Sequence, residues 1–237
     1  MPSFSAQLVG RAPLSPRVVG MSFLASQPFP RAAGQYVALT LGVSSSVGAP
    51  ASTDGLTHAF SIATPFTVEE PERFEIAVAR GTTAEALLEL PLASTLAATG
   101  PSGSLTWKGD APALLVATGT GLSPLRAMVL EQLARPETQP LVLLFGCRDA
   151  EEELWGGELR ELARRRERFR FLPTHSQPSL GHAGRVGRVQ TYLPEVVREL
   201  GPRLRAYLCG HTPMVNDCTE QLLQLGVRPE HVHGESY

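Results

Sequence analysis

A glycine turn that follows an uninterrupted apolar run is the feature that most restricts how this chain can fold. Residues Ala113–Ala117 are all apolar, which is typical of a strand buried on both faces of a parallel sheet. The four residues after the run are Thr118, Gly119, Thr120 and Gly121. Apolar residues then recur at helical spacing over Leu122–Leu133. The segment therefore predicts a strand, a tight turn and a helix.

This turn has the properties of an anion site. Glycine lets the backbone approach a ligand closely, and the free N–H groups at a helix start attract negative charge. Pro124 falls in the first turn of the expected helix, where a missing N–H is tolerated. The same proline replaces the third glycine of the G-x-G-x-x-G dinucleotide fingerprint, so the turn is not of that kind. Taken alone, the turn is also compatible with a strand-to-helix connection that binds nothing.

The first hundred residues indicate an antiparallel barrel. Short strand-like runs alternate with turn formers, and no long helical period separates them. The expected strands are Phe4–Arg11, Arg17–Ala25, Tyr36–Leu41, His58–Ala63, Arg73–Arg80 and Thr95–Thr99. Val43–Thr57 is rich in Ser, Gly, Ala and Pro, which predicts a mobile surface loop. One short helix is expected at Thr83–Leu90.

Strand-like runs alternate with helical segments in the second half, as in a parallel α/β sheet. The expected strands are Ala113–Ala117, Leu141–Phe145, Phe169–Leu172, Ala206–Cys209 and a last strand near Val232. The expected helices are Leu122–Leu133, Glu151–Arg165, Val189–Leu200 and Met214–Leu225. We therefore expect two domains, an N-terminal antiparallel β-barrel of residues 1–108 and a C-terminal α/β parallel-sheet nucleotide-binding domain of residues 109–237.

Composition argues against several classes of protein. Hydrophobic residues make up 43% and charged residues 19%, as in an ordinary globular protein. A formal net charge of −2 offers no basic excess for nucleic acid. No apolar run approaches the ~20 residues of a membrane span, and Met1–Gly10 lacks a leader pattern, so we expect a cytoplasmic protein. Three cysteines are too few for a built-in iron–sulfur cluster, and His231-x-His233 is too small a set for zinc.

Seven short motifs span nearly the whole chain. They are Gly34–Val37 (GQYV), His58–Thr64 (HAFSIAT), Gly100–Gly103 (GPSG), the turn Thr118–Pro124 (TGTGLSP), Gly146–Arg148 (GCR), Cys209–Met214 (CGHTPM) and Glu235–Tyr237 (ESY). A single motif of this length can occur by chance. Seven of them in one order and spacing are not explained by chance. In this order the motifs resemble the ferredoxin–NADP reductase family.

The resemblance implies that the barrel binds FAD and that hydride passes to it from NAD(P)H in the cleft between the domains. Phe60 would pack on the flavin, and Ser61 would hydrogen-bond near its reactive nitrogen. Without the neighbouring matches, Phe60 and Ile62 indicate ordinary strand packing. The implied flavin site consists of Tyr36, His58, Ala59, Phe60, Ser61, Ile62, Thr64, Gly81, Thr82 and Thr83.

The resemblance also assigns the nucleotide side. Cys209 would lie beside the nicotinamide, Glu235 would assist hydride transfer, and Tyr237 would cover the flavin until nicotinamide displaces it. A buried strand cysteine and a disordered tail are the simpler interpretations of Cys209 and Tyr237. The implied catalytic residues are Ser61, Cys209, Glu235 and Tyr237. The implied nucleotide site consists of Thr118, Gly119, Thr120, Gly121, Pro124, Cys147, Arg148, Ser176, Arg185, Cys209, Gly210, Met214 and Tyr237.

Two departures from the family pattern affect the flavin site. His58 stands where the family has an arginine against the flavin pyrophosphate, and histidine lacks the permanent charge and the bidentate fork. Ala84 stands where the family often has a serine that caps a helix, so Thr82 or Thr83 is expected to be the N-cap instead. The sequence leaves both FAD and FMN open.

The coenzyme and the acceptor also stay open. Gln177 stands where NADPH-dependent members often have arginine, which favours NADH, whereas Arg148, Arg185 and Arg188 are candidates for binding a 2′-phosphate. Because no cluster is encoded, the acceptor is expected to be external: a ferredoxin, a flavodoxin, an oxygenase component or a small molecule. The alternative is a non-catalytic flavin- or nucleotide-binding regulatory or electron-entry subunit.

Overall fold

The architecture consists of an antiparallel barrel followed by a parallel α/β sheet. A computed structural model describes residues 2–42, 55–137 and 139–237 of the chain. Within this part, six strands form an antiparallel sheet and six more form a parallel sheet covered by helices. The expected fold class is thus confirmed. The division into domains at residues 108 and 109 stays a prediction.

The barrel is built from the strands β1 (Ser3–Ser15), β2 (Val18–Ala25), β3 (Tyr36–Gly42), β4 (Gly55–Ser61), β5 (Arg73–Ala79) and β6 (Thr95–Ser102). They pair in the order β4-β3-β6-β1-β2-β5. A bridge between Ile62 and Ile76 joins the two outer strands, so the sheet closes on itself and leaves little free edge. Its interior is aromatic, with Phe23 stacked on Phe74 at a centroid distance of 5.4 Å.

Strand β4 begins earlier than the sequence predicted. Gly55–Thr57 belong to the expected surface loop, but they pair with β3, and a hydroxyl–hydroxyl hydrogen bond of 2.9 Å joins Thr57 to Thr40. Threonine hydroxyls that face each other across a strand pair stabilise this register. The remainder of the expected loop, residues 43–54, lies outside the described residues.

The second sheet contains β7 (Ala113–Thr118), β8 (Leu141–Cys147), β9 (Phe169–His175), β10 (Arg185–Val186), β11 (Arg205–Gly210) and β12 (Val232–Ser236). All strands are parallel, in the order β10-β9-β8-β7-β11-β12. Its helices are α1 (Leu122–Leu133), α2 (Gly156–Arg165), α3 (Leu193–Leu200) and α4 (Thr212–Gln224). Across the described residues, no helix is both long and apolar enough to cross a membrane.

Two helices start later than predicted. Helix α2 was expected from Glu151, but the Asp149 side chain accepts hydrogen bonds from the backbone of Glu151 and Glu152 and caps a short 3-10 turn there. Helix α3 was expected from Val189, where a 3-10 turn again precedes it. The two-residue strand β10 was not predicted, because it is too short to show an alternating pattern.

The barrel and the α/β sheet are in direct contact. Val18 and Ala77 of the barrel belong to the same buried cluster as residues of β7 and α1. Polar contacts add to this interface, since Glu152 accepts a hydrogen bond of 3.0 Å from Ser15 and pairs with Arg17 at 3.2 Å. The cleft described next is therefore lined from both sides.

Candidate functional site

The strand ends of the parallel sheet open into one cleft of about 590 Å³. It lies beyond the carboxyl ends of β7, β8, β9 and β11, where open α/β sheets bind ligands. Predicted site residues that line it are Thr118, Gly119, Cys147, Arg148, Ser176, Met214 and Tyr237. The barrel contributes Arg17 and Val18 to the wall. Parallel strands bring these residues together although they lie far apart in sequence.

The glycine turn is shaped by close contact between β7 and β11. Gly119–Gly121 form a 3-10 turn that leads into α1, and Pro124 lies in the first turn of that helix, as predicted. A Cβ atom on Gly121 would lie 2.3 Å from the carbonyl oxygen of Cys209. Gly210 has a φ of +146°, and a Cβ there would lie 2.3 Å from the Thr118 hydroxyl. Only glycine permits this approach.

The C-terminal Tyr237 is held at the same turn. Its hydroxyl accepts a hydrogen bond of 2.8 Å from the Gly121 backbone and one of 3.1 Å from the Thr120 hydroxyl. The same hydroxyl donates to the Thr118 carbonyl at 3.1 Å. The ring is exposed while its hydroxyl is enclosed, and this burial raises the pKa of Tyr237. An aromatic residue that lines the cleft thus places its hydroxyl at the glycine turn.

Cys209 and Glu235 lie side by side on adjacent parallel strands. They are register partners of β11 and β12. Cys209 is buried, and burial together with the Glu235 carboxylate raises its pKa to about 12. Burial also raises the pKa of Glu235. The thiol therefore stays neutral near pH 7 and is suited to packing or hydrogen bonding rather than to nucleophilic attack.

Of the three arginines considered for a 2′-phosphate, the structure brings two to the cleft. Arg148 and Arg188 line it, and neither has an ion-pair partner within the described residues. Arg185 is not part of the lining, because it pairs with Glu195 at 3.3 Å and lies over the Tyr192 ring. An open cleft with a glycine turn and two unpaired guanidinium groups fits a dinucleotide that carries phosphates.

The flavin motif is oriented differently from what the resemblance implies. Phe60 is 9% exposed and belongs to the barrel core, opposite Val37 of β3. Ile62 is buried as well, so the strand-packing interpretation holds for both side chains in this structure. The outward positions are Ala59 and Ser61, opposite Ala38 and Tyr36. A flavin on the barrel would therefore meet Tyr36, Ala59 and Ser61 first.

At the pyrophosphate end of the implied flavin site, one feature favours binding of a phosphate and another opposes it. The His58 Nε2 atom is buried and has no hydrogen-bond partner in the described residues, which suits a phosphate oxygen. The Gly81 N–H, however, already donates to the Glu85 carboxylate at 3.0 Å. A carboxylate occupies the donor that a phosphate would use, so the residues fit the group only after Glu85 withdraws.

The expectation that Thr82 or Thr83 caps the following helix is wrong. That helix is a 3-10 helix at Glu85–Glu89, its N-cap is Ala84, and the Thr82 hydroxyl donates to the Ala79 carbonyl at 2.9 Å. The hydroxyl thereby satisfies a strand-end carbonyl rather than a helix N–H.

Sequence reasoning missed Arg126, the charged residue most closely connected to both halves of the site. It is the single charged residue between Asp110 and Glu131, and its neighbours Leu125, Ala127 and Met128 on the helix are apolar and buried. A charge among apolar residues was the available signal, because buried arginines are nearly always paired. Its guanidinium donates to the Ala63 carbonyl at 2.8 Å, two residues after Ser61.

Comparison with known proteins agrees with this geometry. A family model described as an oxidoreductase NAD-binding domain matches residues 115–220. Ferredoxin–NADP reductase B of Sorangium cellulosum strain So ce56 is 37% identical over 99% of this chain and 97% of its own length. The reductase component DmpP of phenol 2-monooxygenase from Pseudomonas sp. strain CF600 is 30% identical over 89% of this chain, which spans 59% of that relative.

Solved structures support the same fold. The cytochrome P450 reductase GcoB of Amycolatopsis has a TM-score of 0.83 and 24% identity, with 99% of this chain and 69% of that chain covered. Within the described residues, no group of three or more His, Cys, Asp or Glu side chains is placed to hold a metal ion. The chain matches a ferredoxin–NADP reductase over nearly its full length, and its glycine turn opens into a cleft between the barrel and the parallel sheet. This chain therefore belongs to the ferredoxin–NADP reductase family of NAD(P)H-dependent flavoprotein reductases.

Proposed function

We propose that this chain takes electrons from NAD(P)H bound in the cleft, transfers them to FAD on the barrel, and delivers them to an external acceptor. The observation that carries the proposal is the cleft, where the ends of four parallel strands, the glycine turn and a barrel edge meet around about 590 Å³. Such a volume is within the range of small-molecule and cofactor sites. Both halves of a two-cofactor reductase would contribute to it.

The acceptor we favour is a ferredoxin. The relative that this chain matches over 97% of its length is named as a ferredoxin–NADP reductase. The second candidate is an oxygenase component, because the relative from phenol 2-monooxygenase is named as a reductase component of that system. We also propose the cytoplasm as the location and residues 108 and 109 as the domain boundary.

Each side chain has a defined task in this proposal. The backbone of Gly119–Gly121 binds the pyrophosphate that both coenzymes share, and Arg148 and Arg188 bind the 2′-phosphate of NADPH. Ser61 and Tyr36 present the outward face of the barrel to the flavin. A bound FAD would supply the redox chemistry between the reduced nicotinamide and the acceptor. Cys209 packs at the strand end as a buried, neutral thiol.

Tyr237 regulates access to the turn. Its hydroxyl takes up the Gly121 N–H, which is one of the donors that a coenzyme phosphate needs. The coenzyme must therefore displace the hydroxyl, while the Tyr237 backbone stays joined to the Gly210 carbonyl by a hydrogen bond of 3.2 Å. The other implied flavin contacts, Thr64 and Gly81, serve the barrel in this structure: Thr64 accepts a hydrogen bond from the Glu75 backbone, and Gly81 donates to Glu85.

An anaerobic titration tests the proposal. The purified protein is supplied with FAD, its visible spectrum is recorded, and NADH and NADPH are added in separate series. Bleaching of the flavin band by either coenzyme, followed by recovery when oxidised ferredoxin is added, is the expected result. A protein that binds no flavin and stays unreduced by both coenzymes would instead support the non-catalytic subunit.

A further inference from the structure

Arg126 physically connects the coenzyme turn to the flavin motif. It lies on α1, five residues after Gly121, and its side chain is 10% exposed. The Nη1 group donates to the Ala63 carbonyl at 2.8 Å, and Ala63 follows Ser61 by two residues. The same group lies 3.3 Å from the Glu75 carboxylate on β5. One guanidinium thereby fixes the end of β4 against the helix that starts at the turn.

The rest of the guanidinium is held by the second domain. Nε and Nη2 donate to the two carboxylate oxygens of Glu158 at 2.8 and 3.0 Å, which is a bidentate pair. The Cζ atom lies 4.9 Å from the centre of the Trp155 ring. A planar group fixed by a fork and a ring has little freedom to rotate. The position of the Ala63 carbonyl relative to α1 is therefore defined.

A second arginine holds the same segment from the barrel side. Arg31 donates to the Thr64 carbonyl at 3.2 Å and to the Pro65 carbonyl at 2.7 Å. Arg31 is buried, and burial lowers its pKa to about 10. Arg31 thereby fixes Thr64 and Pro65 to the barrel. The hydrogen bond from Arg126 to Ala63 therefore positions the barrel itself against α1, and not a loosely held loop.

We propose that Arg126 is a positioning residue, which sets the separation between the glycine turn that holds the coenzyme and the Ser61 segment that faces the flavin. Hydride transfer depends steeply on this separation, since reacting atoms must approach to roughly 3–3.5 Å. The inference rests on the proposed function. It predicts that loosening Arg126 slows the transfer step while both cofactors still bind, because Arg126 itself does not line the cleft.

The test compares three variants. R126M keeps the length and apolar contacts of the side chain but removes all of its donors. R126K keeps the charge but lacks the planar fork, so it cannot form the bidentate pair with Glu158. The matched control is S15A, which removes another hydrogen bond across the interface, the one between Ser15 and Glu152, without touching Ala63.

Two readouts separate positioning from general stability. Anaerobic stopped-flow spectroscopy gives the rate constant of flavin reduction at saturating coenzyme, and titration gives the dissociation constants of both cofactors. We expect R126M to lower the rate constant by about tenfold or more, R126K to fall between it and wild type, and S15A to stay within about twofold. Dissociation constants should stay within about twofold throughout. In the cofactor-free protein, hydrogen exchange at the backbone amides of residues 62–64 should accelerate in R126M and not in S15A.

The outcomes are decisive in either direction. A wild-type rate constant in R126M, or an equal loss in S15A, would overturn the inference. If R126M does not fold, R126K decides: a lower rate constant at unchanged coenzyme affinity supports positioning, and a wild-type rate constant contradicts it. If wild-type protein fails to reduce FAD at all, the proposed function is wrong, and the exchange measurement still tests whether Arg126 fixes the segment.

Discussion

The Tyr237 hydroxyl and the Gly121 backbone N–H are joined by a hydrogen bond of 2.8 Å, although the two residues are 116 positions apart. Tyr237 thus occupies a backbone donor of the glycine turn. In the binding mode proposed above, a phosphate oxygen of the coenzyme and this hydroxyl compete for the same N–H. The proposal therefore makes coenzyme affinity dependent on a single side-chain oxygen.

Replacing Tyr237 with Phe should strengthen coenzyme binding. The variant keeps the ring and removes the hydroxyl that contacts Thr118, Thr120 and Gly121. A net hydrogen bond contributes about 0.5–1.5 kcal/mol, so the dissociation constant of the coenzyme should fall by about two- to tenfold. Equilibrium titration of the oxidised protein with NAD⁺ and NADP⁺ measures it.

Tyr207→Phe is the matched control for this prediction. Its hydroxyl accepts a hydrogen bond of 2.7 Å from the Lys108 backbone and lies outside the cleft lining. This variant should lose some stability and keep the coenzyme affinity of wild type. Unchanged or weaker affinity in Y237F would show that the hydroxyl does not compete with the coenzyme.

Arg148 and Arg188 should determine the preference for the phosphorylated coenzyme. Both border the cleft without an ion-pair partner among the described residues, so their charges are available to a 2′-phosphate. Hydrogen bonds to charged groups contribute about 1.5–3 kcal/mol, so R148A and R188A should each lower kcat/KM for NADPH by about ten- to a hundredfold. The value of kcat/KM for NADH should change little.

Arg185→Ala is the control, because that guanidinium is paired with Glu195. Equal losses with both coenzymes would assign the arginines to the shared pyrophosphate.

Much of this architecture is readable from local pattern. The apolar run at β7 is buried throughout, and the alternation of strands and helices yields the parallel sheet. Because the carboxyl ends of parallel strands share one edge, residues at the ends of separate strands, such as Cys147 and Ser176, meet in the cleft. The periodicity of apolar residues predicts these elements, because it indicates which face of a strand or helix is buried.

The parts that sequence did not reveal depend on contacts between distant segments. The orientation of Phe60 follows from its register with Val37, and a shift of one residue would have turned it outward. Arg126 contacts Ala63 and Glu75 of the barrel, and no local sequence pattern encodes these contacts. Glu85 lies within the predicted helix Thr83–Leu90. Its hydrogen bond with the Gly81 N–H depends on the geometry of the preceding turn, which the sequence pattern does not specify.

Removing the carboxylate of Glu85 should tighten flavin binding. The Glu85 side chain now accepts the Gly81 N–H and places negative charge where the family resemblance puts the flavin pyrophosphate. E85A frees that donor and removes the repulsion, so the dissociation constant of FAD should fall by about tenfold. Quenching of flavin fluorescence on binding measures it.

The control for E85A is E89A. Glu89 is the last residue of the same 3-10 helix and is exposed, so its removal changes the net charge equally without touching Gly81. FAD affinity in E89A should match wild type. If E85A binds FAD more weakly, the carboxylate is a structural cap that the site requires.

Glu235 should make stability fall as pH rises. Burial raises the pKa of Glu235, so the folded protein holds this proton more strongly than the unfolded chain does. The resulting stabilisation is fully present below the unfolded pKa, about 4.3, and is lost as the pH rises through the folded pKa.

The variant E235Q mimics the protonated form and does not lose this stabilisation at higher pH. Urea unfolding between about pH 4 and pH 8 should show E235Q gaining free energy of unfolding relative to wild type as pH rises, with a plateau above the folded pKa. E69Q, at an exposed position, should track wild type at every pH. A difference between E235Q and wild type that stays constant with pH would mean that Glu235 is ionised equally in both states.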